Sequence, residues 1–410
     1  MFSGMAPLPI PRISPIRLAD LDSVVVEPSH RASARLDPFW DPLWNGNSAL
    51  SWLTRADAER ASASETVGAY DERTNPATLL RGLLAGNRDF IDSIAALRMW
   101  RNATEDQIAA IAGWIDPSAP AAGKPTRRRR PARPMRHLWR GRVVDVGKFM
   151  LAPGASAAMP SIYRVSTDPP ARRLFDSLPL AVQHCIADGQ PWSSGHRHDR
   201  HNLIATELAL RLAEHCEVLA VAGEDQATAA RLDRSGITAR QRRTTNAGDL
   251  LAIRFDGLRI VFEVSCGSSP AQVLKKVEKW IEVLSRCTYD HSAVIVCFVE
   301  AGAPDGSNRQ SVTSIADAIL TALAQQPGAA ANRLRERFAF VSWPWWFPAA
   351  GMVDPSFATL RVLRPTGPSA APWEETHLLD ICDIGYFPMD DLQQELDKYT
   401  PLGGVPYWLR

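Results

Sequence analysis

The sequence predicts a mixed α/β protein of two or three domains. Its 410 residues are 45% hydrophobic and 22% charged, which suffices for more than one core and is typical of chains that fold in water. After residue 200, short apolar runs typical of strands alternate with segments of helical period. The sequence has neither a glycine-rich phosphate loop nor a GxSxG elbow, which disfavours an ATPase and an α/β-hydrolase.

The formal net charge of +1 conceals a strongly basic segment at about residues 124–142. Its apolar content is too low to order it alone, so it is either a solvated linker or a contact for nucleic-acid phosphates. We favour the phosphate contact because of the elements on either side. The candidate DNA-binding residues are Arg127, Arg128, Arg129, Arg130, Arg133, Arg136, Arg140 and Arg142.

The N-terminal half divides into two predicted regions. Residues 1–74 have no sustained period and predict an extended, partly disordered arm, in which Phe39 and Trp40 belong to a short hydrophobic anchor. Residues 75–185 predict two short helices, the second starting with a capping box of Thr104 and Gln107, then the basic segment and two strands. This is the order of a winged helix-turn-helix, which places a helix in the DNA major groove. Such modules also serve as protein-docking domains, and that alternative stays open.

Residues 196–346 predict a second domain. A helix from about Arg200 to Cys216 precedes a strand and two apolar runs joined by Asp256-Gly257, the signature of a two-residue hairpin turn. A helix, a buried strand and a further helix and strand follow, and this order gives a mixed sheet covered by helices. Residues 347–410 form a Pro-rich, acidic extension, a candidate surface for a protein partner.

Two carboxylates of the hairpin are candidate catalytic residues. Asp249 opens the first strand and Glu263 lies near the end of the second, so both belong to one end of the sheet. Paired carboxylates suit Mg or Mn, which would activate water, and Glu207 on the preceding helix is a candidate third ligand. The alternative is a chance pair, because strand alternation allows Glu263 to face outward.

The segment GDLLAIRFDGLRIVFEVS resembles the PD-(D/E)xK core of restriction-endonuclease-like nucleases. The resemblance implies that Asp249 and Glu263 hold the metal and that Glu207 assists. The sequence departs from the family pattern at Ser265, where the family has lysine, and at Gly248, where it prefers proline. Some members carry the lysine on the following helix, so Lys275 or Lys276 would then take its role.

A broader resemblance covers residues 78–300. A winged helix, a helix opening with His201, a hairpin ending in Glu263-Val264 and a helix with Lys276 and Trp280 are similar, in that order, to the replication-relaxation proteins of bacterial mobile elements. It implies a DNA-binding protein of plasmid or integrated-element maintenance, with double-stranded DNA as partner. Whether it is a metal-dependent DNA endonuclease or a non-catalytic regulator or scaffold stays open.

Location and assembly are less well defined by the sequence. The six cysteines are scattered without CxxC spacing, which favours a reducing cytoplasm and disfavours a zinc site. The sequence shows neither a signal peptide nor a membrane-spanning segment, so no membrane partner is expected. The oligomeric state cannot be predicted from these features.

Overall fold

The computed structural model describes most of the chain between residues 35 and 381. The described ranges are 35–40, 49–61, 64–71, 74–75, 77–112, 131–150, 161–187, 189–194, 198–232, 247–254, 256–286, 294–302, 304, 312–365 and 373–381. Within these ranges no helix is long and apolar enough to span a bilayer. The predicted mixed α/β fold is confirmed, with one small antiparallel sheet and one large mixed sheet.

The N-terminal unit, residues 49–187, is built from short helices around the small sheet. Its elements are β1 (Ala49–Leu53), α1 (Arg55–Arg60), α2 (Ser64–Asp71), α3 (Ala77–Leu84), α4 (Arg88–Trp100), β2 (Ala103–Thr104), α5 (Glu105–Ala112), α6 (Arg133–Arg140), β3 (Val144–Met150), β4 (Ile162–Val165), α7 (Pro169–Ser177) and α8 (Leu180–Ala187). The strand order is β1-β3-β4-β2, and all neighbours are antiparallel. Leu97, Leu138, Trp139 and Tyr163 are fully buried in its core.

The predicted capping box of α5 is confirmed. The Thr104 N–H donates to Gln107 Oε1 at 3.1 Å, and the Gln107 N–H donates to Thr104 Oγ1 at 3.2 Å. Elsewhere the unit is more ordered than expected, since β1, α1 and α2 lie within the predicted extended arm. The end of the basic segment is helix α6, because Met135, Leu138 and Trp139 supply a buried face that the charge count concealed.

The sheet unit, residues 198–377, contains the large sheet. Its elements are α9 (Asp199–His215), β5 (Ala220–Gly223), α10 (Ala229–Leu232), β6 (Leu250–Ile253), β7 (Arg259–Ser265), α11 (Pro270–Arg286), β8 (Val294–Glu300), α12 (Val312–Ala324), α13 (Gly328–Arg335), β9 (Phe338–Ser342), α14 (Trp343–Trp346), a 3₁₀ helix (Pro355–Thr359), β10 (Arg361–Pro365) and β11 (Trp373–His377). The strand order is β11-β10-β9-β8-β7-β6-β5. Strands β7, β8 and β9 are parallel, and the other neighbours are antiparallel.

Helices cover both faces of this sheet, which explains its continuous apolar strands. Helix α9 and the tryptophans Trp343 and Trp346 lie in the core on one face, whereas α11 and α12 contribute to the core on the other. A strand buried on both faces needs apolar residues at successive positions. Every residue of β6, β7 and β8 is accordingly buried.

The β6–β7 hairpin forms where expected, but its connection is longer than the predicted two residues. The Arg254 N–H donates to Leu258 O at 2.8 Å, so three positions rather than two separate the last hydrogen-bonded pair of the hairpin. Gly257 has φ of 86°, the positive value that such a loop requires at one position. Strand register is unaffected, and Leu250 lies opposite Phe262.

Segments distant in sequence complete the sheet unit. Residues 35–40 pack against it, with Phe39 stacked on Trp343 and the indole N–H of Trp40 donating to Phe347 O. Strands β10 and β11, within the predicted acidic extension, add to the sheet beyond β9. The sequence also predicts weak helical content around residues 389–396, which lie outside the described residues.

The N-terminal unit packs closely on the sheet unit. Residues of α4 and α5 share a core with α9 and β5. At Gly223 a Cβ atom would lie 2.8 Å from Met99 Cγ and 2.9 Å from Met99 O. Glycine is therefore needed where β5 approaches α4.

Candidate functional site: a cleft at the carboxyl end of strand β7

The hairpin places its two carboxylates side by side. The Asp249 N–H donates to Phe262 O at 2.9 Å, which sets Asp249 just before β6 and beside Glu263 of β7. Gly248 precedes it, and a Cβ there would lie 2.1 Å from Val261 Cγ1. The backbone at this position therefore has no room for the proline that the nuclease family prefers.

Asp249 is held by a histidine and by the backbone. Its Oδ1 lies 2.9 Å from His201 Nε2, and its Oδ2 accepts a bond from the Val264 N–H at 2.7 Å. Burial raises the pKa of Asp249, but His201 and Lys276 outweigh burial and lower it to about 2. Burial lowers the pKa of His201, but the adjacent Asp249 carboxylate raises it well above the usual value. The pair is therefore an imidazolium–carboxylate ion pair at neutral pH.

Glu263 is buried and receives two hydrogen bonds from α11. The Trp280 indole N–H donates to Oε1 at 2.7 Å, and Lys276 Nζ donates to Oε2 at 2.6 Å. Burial raises the pKa of Glu263, and Asp249 raises it further, while Lys276 opposes both. For Lys276, burial lowers the pKa, but Glu263 and Asp249 raise it above its usual value. Glu263 thus does not face outward, because Lys276 and Trp280 compensate for its burial.

Of the two candidate lysines, Lys276 reaches the carboxylates. Lys275, which precedes it on α11, is exposed and lines the cleft beside Lys276. Ser265, at the family's lysine position, is buried at the end of β7. The residues that carried the broader resemblance, His201, Glu263, Lys276 and Trp280, therefore converge with Asp249. We call these five residues the cleft cluster.

Glu207 does not join the cleft cluster. Its carboxylate accepts bonds from Arg35 at 3.0 Å, from Arg211 at 3.0 Å and from Gln107 at 3.3 Å. Arg35 also bonds Glu214 at 2.5 Å, and Arg211 bonds Asp37 at 2.7 Å. The prediction that Glu207 lies beside the hairpin carboxylates does not match this placement, because α9 directs it to a buried cation. We call Arg35, Asp37, Glu207, Arg211 and Glu214 the Arg35 network.

The donor set of the cleft cluster does not fit a resident divalent cation. All four oxygens of Asp249 and Glu263 have a nitrogen partner in the protein. Two of those partners, His201 and Lys276, carry charge that balances the two carboxylates. Over the described part of the chain, no group of three or more His, Cys, Asp or Glu could hold a metal. A magnesium or manganese ion would have to share these oxygens with His201 and Lys276, whose positive charges oppose its binding, or displace those side chains.

The described basic candidates of the N-terminal unit have different environments. Arg133, at the start of α6, is exposed, whereas Arg136 is half-buried. Arg140 forms an ion pair with Asp71 at 3.2 Å, and Arg142 forms one with Glu59 at 3.0 Å. The candidates Arg127, Arg128, Arg129 and Arg130 lie outside the described residues.

Sequence reasoning missed several cleft residues. The cleft has a volume of about 720 Å³ and includes Arg101, Asn202, Glu224 and Gln272 in its walls. Arg101 is the C-cap of α4, with φ of 70°, and nothing in its local sequence marks it as part of a site whose first hairpin carboxylate, Asp249, lies 148 residues later. The Asn202 position was detectable, because it follows His201 at the start of a helix.

Comparison with protein-family models, with curated proteins and with solved structures finds no match to this chain. The case for a function therefore depends on the geometry of the cleft and on the order of the elements around it.

Proposed function

We propose that the protein is a DNA-binding regulator of a plasmid or integrated mobile element, in which a nuclease-like domain binds DNA without cutting it. The observation that carries the proposal is that both carboxylates of the cleft cluster are already paired with cationic side chains. Lys276 and His201 occupy the carboxylates that a nuclease of this class uses for its metal, and the cleft around them remains open.

The order of elements supports the nuclease-like assignment. Helix α9 is followed by β5, β6 and β7, then by α11 and β8, with β7 and β8 parallel. An α-β-β-β-α-β order with Asp before one hairpin strand and Glu near the end of the next is the arrangement implied by the PD-(D/E)xK resemblance. The lysine comes from the following helix, as in some members of that class.

The topology of the N-terminal unit supports a winged helix. Helix α4, strand β2, helices α5 and α6, and strands β3 and β4 follow in order, and the sheet contains the run β3-β4-β2. In this arrangement α6 corresponds to the helix that enters the major groove. Its exposed Arg133 would contact phosphates, together with the arginines that precede it in sequence.

The charge of the cluster argues against catalysis. Metal-dependent phosphodiester cleavage needs carboxylates that are free to bind the ion. The ammonium of Lys276 and the imidazolium of His201 instead satisfy both carboxylates. In the cleft cluster, the positive charges of Lys276 and His201 offset the negative charges of Asp249 and Glu263, which would otherwise repel phosphate.

A cleavage and binding assay tests the proposal. Wild type, Glu263→Gln and the control Glu278→Gln, an exposed carboxylate on the same helix, are incubated with supercoiled, linear and single-stranded DNA in manganese. We expect retention of DNA by wild type and the control, and no cleavage by any of them. Cleavage by wild type and the control but not by Glu263→Gln would replace the proposal with a metal-dependent phosphodiesterase. Absence of DNA binding by wild type at low salt would overturn the DNA assignment itself.

A further inference from the structure

Cys266 is a nucleophilic side chain of the cleft that the proposed function does not use. It directly follows β7, at the edge of the sheet formed by the carboxyl ends of the parallel strands. Gly267 after it has φ of 103°, which turns the chain towards α11. Cys266 is half-buried and lines the cleft. A reagent that enters the cleft therefore reaches this thiol while the sheet stays folded.

The four described cysteines differ in how far solvent reaches them. Cys216 and Cys297 are fully buried, and burial raises the pKa of both thiols. Cys185 on α8 is half-buried like Cys266, but it packs against the core of the N-terminal unit. Because Cys185 and Cys266 have similar access and different surroundings, Cys185 is an internal reference for the reactivity of Cys266.

Two cations of the cleft cluster lie beside Cys266. Its side chain is a hydrogen-bond partner of His201 and interacts electrostatically with Lys276. Burial lowers the pKa of both cationic side chains, but the neighbouring carboxylates, followed by Cys266, raise it by more, so both carry charge at neutral pH. The form of a cysteine that attacks a disulfide is the thiolate. A thiolate at this position would lie beside an imidazolium and an ammonium group, which favour the negative charge.

A second feature of the cleft favours a ligand there. Ser194 is 8% exposed, and its buried hydroxyl has no hydrogen-bond partner among the described residues. Ser194 lines the same cleft as Cys266. An unsatisfied buried hydroxyl costs free energy, which a ligand with amide or carboxylate groups would recover by bonding it. The cleft volume of about 720 Å³ is large enough for a group of tripeptide size.

We propose that Cys266 is a modification site, activated by His201 and Lys276, at which a small peptide disulfide of the class of glutathione disulfide forms a mixed disulfide within the cleft. The Cys266 thiol loses its proton, its sulfur attacks one sulfur of the peptide disulfide, and the bond between the two peptide sulfurs breaks. The released half leaves as a thiolate and takes up a proton, so one disulfide is consumed for each one formed. This inference goes beyond the proposed function and does not depend on DNA binding.

Peptide mapping by mass spectrometry tests the site. The full chain is incubated with glutathione disulfide at neutral pH, and the mixed disulfide at each cysteine is quantified against time. We expect Cys266 to react about tenfold faster than Cys185, and the two rates to converge in urea. A rate at Cys266 no higher than that at Cys185 would overturn the proposal. A difference that persists in urea would overturn it too, because the cause would then be the local sequence rather than the cleft.

Replacing the imidazolium separates activation from access. In His201→Gln, Cys266 loses its cationic hydrogen-bond partner, and we expect its modification to slow by about tenfold. The control His215→Gln makes the same change at the last residue of α9 and should leave the rate at Cys266 unchanged. The rate at Cys185 in the same samples reports whether either variant has loosened the fold. An unchanged rate at Cys266 in His201→Gln would show that the cleft does not activate this thiol.

Replacing the unpartnered hydroxyl tests where the added group lies. In Ser194→Ala we expect Cys266 to react about threefold more slowly with glutathione disulfide. Its rate with methyl methanethiolsulfonate, a small thiol reagent without amide or carboxylate groups, should stay the same. An unchanged rate with glutathione disulfide would overturn the placement of the peptide group against Ser194.

Discussion

The Arg35 network and the cleft cluster both pair carboxylates with cationic side chains, but they differ in how far those side chains are exposed to solvent. In both, buried carboxylates are matched by cationic side chains. Arg35, Glu207 and Arg211 have fully buried side chains, so nothing from solvent reaches them. In the cleft cluster, Glu263 is 3% exposed while its partner Lys276 is 40% exposed. A fully buried ion pair such as that of Glu207 contributes to stability alone. The Glu263–Lys276 pair can also respond to a ligand, because Lys276 is accessible from solvent.

The largest loss of unfolding free energy should come from breaking the Arg35 network. Glu207→Ala leaves two buried guanidinium groups short of a carboxylate, and we expect the free energy of unfolding to fall by about 3–5 kcal/mol. Urea denaturation at neutral pH measures it. A loss below about 1 kcal/mol would mean that Glu214 and Asp37 suffice for Arg35 and Arg211, and the contrast between the two clusters would disappear.

The dependence of unfolding free energy on pH should distinguish the cleft cluster from the Arg35 network. Because the pKa of Asp249 is lowered to about 2, its contribution to stability is present above its unfolded pKa of about 3.9 and is lost as pH falls towards 2. We expect wild type to exceed Asp249→Asn by about 2 kcal/mol in unfolding free energy near pH 6. Denaturation curves from pH 6 to 2 should show this difference shrinking below pH 4. A difference independent of pH would assign the loss to packing.

The smallest effect should come from an ion pair on the surface. Arg361 and Glu375 have side chains that are 48% and 49% exposed, so solvent screens their attraction. Glu375→Ala should change the unfolding free energy by less than about 1 kcal/mol. It is the reference for the other two variants in the same denaturation assay. A loss comparable to that of Glu207→Ala would mean that burial does not separate the two clusters.

The elements predicted best from the sequence are those with a strong local period. In the sheet unit, the predicted elements that form close to the expected residues are α9, α11, β7 and β8. Their apolar residues recur with the helical period in the two helices and form continuous buried runs in the two strands. Helix α6 was missed since three arginines and one proline make up half of its eight residues. Its buried face becomes visible only when α2, α3 and α4 are in place.

The candidate site was predictable only in part. The hairpin pattern placed Asp249 beside Glu263, and the order of elements pointed to His201, Lys276 and Trp280. The same reasoning assigned Glu207 to the wrong surroundings, because its partner Arg35 lies 172 residues away in a segment without regular period. The position of Arg101 in the cleft was missed for a similar reason. The local sequence at the end of α4 does not show which residues of the sheet unit will lie beside it.

The attachment of residues 35–40 has a consequence for how the protein is assembled during synthesis. Arg35 and Asp37 are synthesised before their partners on α9, which follow about 170 residues later, and Trp343, on which Phe39 stacks, is synthesised later still. A fragment limited to residues 196–346 would hold Glu207 and Glu214 without Arg35 and would lack β10 and β11. Folding of the large sheet is therefore complete only after residues 35–377 have all been synthesised, and residues 35–40 must wait for partners that are made later.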